Sequence, residues 1–166
     1  MDLIRELGPF ALASRLQRLS EHLKKEVSTL YHAHGLDFDD QWFLVGYSLA
    51  RNGEMTMKEM AGQLSLSRPT VSRMIEGMAE HGLIKVVEDA SDPMRRRISL
   101  TGEGEDTVEE LERIWTAVGE ITGDLIAGAR EDLLGSIEDI EGALEERSLF
   151  SRVSERLAME EASREE

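Results

Sequence analysis

Residues 56–104 read TMKEMAGQLSLSRPTVSRMIEGMAEHGLIKVVEDASDPMRRRISLTGEG, and this stretch decides the fold of the chain. Its first four residues, 56–59, fit the capping box in which Ser or Thr is followed three positions later by Glu, so they predict the start of a short helix. Ser67 is a candidate N-cap for a second helix over about 68–81, because Pro69 is tolerated in a first turn. Apolar residues at helical spacing form the predicted inner face of this second helix: Val71, Ile75 and Met78.

Two β-rich runs follow the second helix. The first holds Leu83, Ile84, Val86 and Val87 and predicts a strand. An Asp-Pro turn then predicts a loop over residues 90–94, and a returning strand follows in which apolar and polar residues alternate. Two short helices followed by a hairpin describe a winged helix-turn-helix, which places its second helix in the DNA major groove. The predicted fold class is therefore mainly α with a small β-hairpin wing (α+β).

Long helices are predicted on both sides of this central segment. Residues 9–34 show one apolar helical face of leucines and a valine: Leu12, Leu16, Leu19, Leu23, Val27 and Leu30. A shorter helix is predicted from Asp39 or Asp40 to Arg51. After Thr101 the pattern predicts a helix to about residue 129 and another from about residue 131 to 157, and whether the latter breaks near Arg147 stays open. The polar end from Met159 onward is expected to fray.

The composition limits what the chain can do. Its 166 residues include no cysteine, which excludes disulfides, thiol oxidation and cysteine-based zinc sites. No membrane-spanning run or signal peptide is recognisable, so a cytoplasmic protein without a membrane partner is expected. No catalytic or phosphate-binding motif is present, so we predict neither an enzyme nor a cofactor. His32 and His34 lie near acidic residues, but we interpret them as solvated groups at a helix end rather than metal ligands.

A net charge of −15 disfavours binding to a polyanion such as DNA, but this charge is distributed unevenly along the chain. Residues 1–50 carry 5 basic and 7 acidic side chains, a net of −2. Residues 51–100 carry 8 and 7, a net of +1, whereas residues 101–166 carry 6 and 20, a net of −14. The predicted DNA-reading third is therefore the only part that is not acidic, and the acidic end is typical of solvated helical faces.

The predicted DNA contacts lie on three elements. The second helix offers short polar groups and arginines, because Arg can bond to guanine O6 and N7 while a helix N-terminus favours phosphate. The first helix would lie across the DNA backbone. Arginines of the wing can enter a narrow minor groove, although alternation along a strand means that Arg96 points differently from its two neighbours. The complete predicted set is Lys58, Ser67, Arg68, Pro69, Thr70, Ser72, Arg73, Arg95, Arg96 and Arg97.

The central segment resembles the MarR family of bacterial transcriptional regulators over about residues 40–104. Beyond that range the resemblance covers the order and length of helices only. The residues that carry it are Met60-Ala61 and Leu64, the run Ser67 to Arg73, His81-Gly82-Leu83-Ile84, and Asp92 together with Leu100-Thr101-Gly102-Glu103-Gly104. One departure concerns the wing, where the family places an arginine at the position of Met94 and a second at that of Arg97. Either the loop bends differently, or Arg95 or Arg96 takes over the minor-groove contact.

The resemblance implies a dimerisation helix at residues 1–38, a DNA-binding domain at 39–104 and dimerisation helices at 105–166. It also implies a homodimer that binds double-stranded DNA at a pseudo-palindromic operator, as a repressor released by a small, often aromatic, anion. Aromatic or polar groups that could border such a ligand are Tyr31, His32, Trp42, Tyr47 and Trp115, for which core packing is the competing interpretation. The alternative function is a winged-helix protein-interaction module that does not bind DNA.

Overall fold

The computed structural model describes residues 2–89, 92–129 and 131–165, with the side chains of 88, 89, 92–95 and 162–165 left aside. The helices are α1 (Leu3–Glu6), α2 (Leu12–Ala33), α3 (Phe43–Asn52), α4 (Met57–Leu64), α5 (Arg68–Glu80), α6 (Gly102–Ala127), α7 (Leu133–Glu146) and α8 (Leu149–Glu165). Two 3-10 turns, Gly8–Ala11 and Asp40–Trp42, precede α2 and α3. The strands are β1 (Met55–Thr56), β2 (Ile84–Asp89) and β3 (Asp92–Leu100). This is the predicted fold class, a mainly helical winged helix.

The three strands form an antiparallel sheet in the order β1-β3-β2. The two-residue strand β1 was not predicted from the sequence, because two residues carry no periodicity. The predicted loop over 90–94 was too long: the backbone of β3 begins at Asp92, and Ala90 and Ser91 lie outside the described residues. The wing is therefore a hairpin anchored at its base by a third strand.

The first compact unit, Met1–Val118, holds the apolar core. The predicted inner face of α5 is buried, together with side chains from α2, α3, α4, α6 and the sheet: Tyr31, Val45, Leu49, Met60, Ile98 and Leu111 among them. Burial of these side chains fixes the two helices of the helix-turn-helix against α3 and the sheet. The reading module is thus built on one continuous core.

Local hydrogen bonds explain where the reading helices begin and end. The Thr56 hydroxyl accepts from the Glu59 backbone N–H while the Glu59 carboxylate accepts from that of Thr56, which confirms the predicted capping box. The Ser67 hydroxyl accepts from the Thr70 N–H at 3.3 Å, as predicted for the N-cap of α5. Between the two helices, Ser65 adopts φ 51°, in the left-handed region that tight turns require. These caps set the turn that orients α5.

The start of α6 depends on a close approach to the end of the helix-turn-helix. The Thr101 hydroxyl donates to the Gly82 carbonyl at 2.6 Å and accepts from the Gly104 N–H at 3.0 Å. A Cβ atom at Gly104 would overlap the carbonyl oxygen of Leu83. The Leu-Thr-x-x-Gly pattern therefore has a steric reason, since a side chain at its last position has no room.

The second compact unit, Gly119–Glu166, contains the end of α6 with α7 and α8. The open question of a helix break is answered at Arg147, which is extended (φ −151°, ψ 118°) and separates α7 from α8. The Arg152 guanidinium donates to the Ala143 carbonyl at 2.7 Å, and this carbonyl in the last turn of α7 also accepts from the Arg147 backbone N–H at 3.2 Å. The polar end from Met159 onward, which was expected to fray, belongs to α8, whose backbone is helical to Glu165. Among the described helices, none is both long and apolar enough to cross a bilayer.

Candidate nucleic-acid interface

Helix α5 buries one face and exposes the other. Its buried side chains are Val71, Ile75 and Met78, whereas Arg68, Pro69 and Arg73 are exposed and Thr70 and Ser72 are half-buried. This is the arrangement that the sequence predicted for a helix whose outer face reads base edges. The predicted polar residues therefore lie together on one exposed surface.

The two arginines of α5 are not neutralised within the described part of the chain. Neither Arg68 nor Arg73 pairs with a described carboxylate, although the Arg73 Nε donates weakly to the Pro69 carbonyl at 3.4 Å. At the N-terminus, Ser67 Oγ and Thr70 Oγ1 lie 2.8 Å apart in a hydrogen bond. Uncommitted guanidinium groups beside a helix N-terminus are suited to phosphate oxygens and guanine edges.

One residue of this surface was missed by the sequence reasoning. The Ser72 hydroxyl donates to a carboxylate oxygen of Glu76 at 2.8 Å, one turn further along the exposed side of α5. The spacing of four residues between Ser and Glu could have indicated this contact. Glu76 is thus an acidic group on the reading surface, and it engages the hydroxyl of a predicted contact residue.

Helix α4 and the wing flank α5. Lys58 is exposed in the first turn of α4, where a phosphate contact was predicted. Arg96 is exposed and lies opposite Glu88 in the register of the hairpin. Arg97 lies at the base, opposite Thr56 of β1, and its guanidinium pairs with Glu54 at 2.7 Å. Sequence reasoning distinguished Arg96 from its two neighbours by strand alternation, whereas the ion pair with Glu54 distinguishes Arg97 from Arg96.

The structure describes the backbone of the wing at Met94 and Arg95 but not their side chains. The predicted contact of Arg95 with DNA therefore stays a prediction. The departure from the family pattern at Met94 also stays an observation on the sequence.

Three of the five residues predicted to border a ligand, Tyr31, Tyr47 and Trp115, meet in an aromatic cluster. The Trp115 Nε1–H donates to the Tyr31 hydroxyl at 2.8 Å, and Tyr31 is buried. Burial raises the pKa of Tyr31, and the negative charge of Asp40 adds to that rise. Tyr47 is partly exposed, with its ring centroid 5.8 Å from that of Trp115. The cluster packs edge to face and is consistent with the core-packing interpretation, and the ligand roles stay a prediction.

The other two predicted ligand residues lie differently. Trp42 is buried against the end of α5, with its ring centroid 4.7 Å from that of His81. His32 is exposed at the end of α2, and the neighbouring His34 donates through Nδ1 to the Leu30 carbonyl at 2.9 Å. The described residues hold no group of three or more His, Asp or Glu side chains placed to bind a metal ion.

A carboxylate beside this cluster is poorly satisfied. Burial raises the pKa of Asp40, and the charge of Asp39 adds to the rise while Lys24 opposes it. The Oδ2 atom of Asp40 is buried and has no hydrogen-bond partner in the described part of the chain. Its neighbour Asp39 caps the 3-10 turn by accepting from the Gln41 backbone N–H at 2.8 Å. Asp40 therefore contributes a destabilising charge next to Trp42.

Comparison with known proteins also points to DNA-binding transcriptional regulators. Residues 41–96 match the model of the MarR family. The HTH-type transcriptional regulator FarR of Neisseria gonorrhoeae is 29% identical over 110 residues, which cover 64% of this chain and 75% of FarR.

Solved structures show the same fold. The M. tuberculosis transcriptional regulator MOSR in complex with DNA superposes with a TM-score of 0.65 at 21% identity, covering 83% of this chain and 98% of MOSR. The PcaV regulator of Streptomyces coelicolor in complex with its natural ligand gives a TM-score of 0.61 at 19% identity, covering 89% and 97%.

The fold and its exposed, arginine-bearing helix define a winged helix-turn-helix protein. The match to the MarR family model lies across that module, at residues 41–96, and the chain is similar to this family there.

Proposed function

We propose that this chain is a sequence-specific, DNA-binding transcriptional regulator that acts in the cytoplasm. The observation that carries the proposal is the outer face of α5, where Arg68 and Arg73 are exposed and make no ion pair with any described carboxylate. Such groups hydrogen-bond to phosphates and guanine edges when the helix enters the major groove. The family comprises regulators rather than enzymes, and the geometry offers a binding surface.

The charge distribution supports this reading of the surface. The winged-helix third of the chain has a net charge of +1, and the 20 acidic residues of 101–166 lie outside it. Because most of the acid lies in another part of the sequence, the winged-helix segment itself carries no net negative charge, which reduces repulsion from the DNA phosphates. The alternative, a protein-interaction module without DNA, is not favoured, because it leaves the exposed arginines of α5 without a role.

The proposed active form is a homodimer. Leu12, Leu16, Leu19, Leu23 and Leu30 of α2 are exposed along one side of the helix, each by 40% or more of its surface. In α7 and α8 no described side chain is buried, although both carry a full apolar stripe. Apolar helical faces of this length are normally covered, and a second copy would cover them with the same stripes. Each copy would then read one half of a pseudo-palindromic operator.

The proposed mode of regulation is repression relieved by a small effector. PcaV is described in complex with its natural ligand, and the aromatic cluster around Tyr31 and Trp115 provides rings and hydroxyl groups suited to a small aromatic anion. Such an effector would act by favouring a spacing of the two reading heads that does not fit the operator. With no cysteine in the chain, thiol oxidation cannot supply the signal.

A gel-shift assay with the DNA upstream of the chain's own gene tests the proposal at moderate salt. We expect a retarded band at a protein concentration of about 1 μM or lower that resists competition by unrelated DNA. Absence of a specific band across a randomised pool of sequences would contradict DNA binding and would leave the protein-interaction module as the better function.

A further inference from the structure

The C-terminal half of α5 packs against an indole ring in addition to the apolar core. Trp42, at the end of the 3-10 turn before α3, is 8% exposed. Its ring meets His81, the C-cap of α5, at a centroid distance of 4.7 Å and an interplanar angle of 61°. The turn that carries Trp42 is thus in direct contact with the helix that carries the predicted base contacts.

A glycine makes this contact possible. A Cβ atom at Gly77 of α5 would lie 2.8 Å from the indole Nε1 and 3.0 Å from Cζ2 of Trp42. Both distances are shorter than a non-bonded contact of a Cβ atom allows, so any larger residue at this position must displace either the ring or the helix. Gly77 also accepts from the His81 backbone N–H at 3.2 Å and from His81 Nδ1 at 2.9 Å. The helix can therefore approach the ring this closely only because residue 77 has no side chain.

The indole cannot easily give way to a larger residue at position 77. Phe38 packs edge to face against Trp42 with centroids 5.6 Å apart, and Phe38 is itself 3% exposed between Trp42 and Tyr31. His81 occupies another side of the ring. Since close-packed aromatic rings have no free volume to move into, the displacement would be taken up by the helix.

We propose that Trp42 is a positioning residue for DNA recognition, which sets the height and tilt of α5 through its contact with Gly77 and His81. This inference rests on the proposed DNA-binding function. Arg73 lies one turn before Gly77 on the same rigid helix, so a shift at Gly77 carries Arg73 away from the base edges. Non-specific contacts with phosphates tolerate such a shift far better than bidentate base contacts do.

A double-mutant cycle on the full-length protein tests the proposal. The variants are Gly77→Ala, Trp42→Phe and the pair, and the probes are a duplex selected from a randomised pool by the wild-type protein and a scrambled duplex. We expect Gly77→Ala to weaken binding to the selected duplex about 5- to 100-fold, the range for one mismatched base pair, with a change of less than about threefold on scrambled DNA. Phe at position 42 has one ring instead of two and lacks Cζ2, one of the atoms that the new Cβ meets, so part of the overlap is relieved and the pair should bind more tightly than Gly77→Ala alone.

Controls separate positioning from folding. Gly62→Ala adds the same methyl group in α4, where nothing lies within 4 Å, and should bind like the wild type. Thermal unfolding of each variant is measured first, and binding is then compared at a temperature at which all the variants are folded. If Gly77→Ala does not fold, the test passes to Trp42→Phe alone, which should lose affinity for the selected duplex while retaining it for scrambled DNA.

The outcomes distinguish the two proposals. If the wild type selects no DNA, the proposed function fails and the positioning role with it. If the wild type selects DNA but Gly77→Ala binds the selected duplex as tightly as the wild type, only the role of Trp42 is overturned. The same holds if the double variant binds that duplex no more tightly than Gly77→Ala alone. If Gly77→Ala does not fold, equal losses on both duplexes for Trp42→Phe would overturn it as well.

Discussion

The winged helix and the helical ends bury their apolar side chains to very different extents. In the reading module, Val71, Met78 and Ile98 are at most 1% exposed and the helix ends are capped. In α2 the leucine stripe is exposed by 40% or more, and in α7 and α8 no described residue is buried. The first region is complete as a single chain, whereas the second presents apolar faces that one chain leaves uncovered. Changes in the module should therefore affect folding and DNA reading, and changes in the helical ends should affect assembly.

The largest expected effect is on the stability of the module. Gly104→Ala places a methyl group on the Leu83 carbonyl, and backbone atoms cannot move aside cheaply. We expect a loss of at least about 3 kcal/mol in the free energy of unfolding, at the upper end of overpacking costs. Urea denaturation measures it, with Gly102→Ala as the control, since a Cβ there meets nothing within 4 Å. Equal stability of both variants would contradict the close approach of α6 to Leu83.

The helical ends should respond through assembly instead. Leu19→Glu combined with Leu23→Glu puts two charges on the exposed stripe of α2, where burial in a dimer would be costly. Sedimentation should give half the mass of the wild type, with the secondary structure retained. Ser14→Glu adds the same charge on the opposite side of α2 and should leave the mass unchanged. A wild type that sediments as a monomer would refute the dimer.

Arg73→Ala tests base reading within the module. Removing the Arg73 guanidinium should abolish its predicted hydrogen bond to a base edge. The fold should stay intact, because Arg73 is exposed and has no described carboxylate partner. We expect a cost of about 1–3 kcal/mol on the selected duplex and a relaxed preference at one base position. Competition binding against single-base variants of the duplex measures both. An equal loss on all sequences would show that Arg73 contacts phosphate only.

The wing should differ from α5 in its salt dependence. Replacing Arg95 and Arg96 together by Ala should weaken binding to all sequences and flatten the slope of log K against log salt by about one for each arginine that pairs with a phosphate. Arg97→Ala is the comparison, because its guanidinium pairs with Glu54. If Arg97→Ala flattens the slope more than the double variant does, the base of the wing provides the main interaction with phosphate.

The smallest expected effect concerns Asp40. Its pKa is raised in the folded state, mainly by burial, so the folded chain holds the proton more tightly than the unfolded chain. Stability from this group is present at low pH and is lost as the pH rises from the unfolded pKa through the folded one. Asp40→Asn should therefore raise the melting temperature slightly at neutral pH, and the gain should shrink on acidification. Asp139→Asn neutralises an exposed carboxylate of α7 that makes no ion pair with a described residue, and it serves as the control.

Sequence reasoning predicted the module well because its determinants are local. The capping box at Thr56, the N-cap at Ser67 and the inner face of α5 each depend on residues within one or two turns, and the structure has them as predicted. The acidic helical ends were also predicted as helices, because their apolar periodicity extends over many turns. The predicted division into three domains stays a prediction.

The features that the sequence did not reveal depend on distant residues. Glu54 meets Arg97 across 43 positions of sequence through the pairing of β1 with β3. Trp42 meets Gly77 through tertiary packing; its aromatic character predicted either a ligand contact or a place in the core, but not the contact with α5. No periodicity or motif encodes such distances, and only the folded chain brings these residues together.

A hydroxyl-radical footprint of the full-length protein, on a duplex that it selects from a randomised pool, tests DNA reading and dimerisation together. A dimer of winged helices should protect two symmetric half-sites whose centres lie about ten base pairs apart, with further protection of the minor groove on each outer side. A single unsymmetric protected site would contradict the dimer, and the absence of any protection would contradict DNA binding itself.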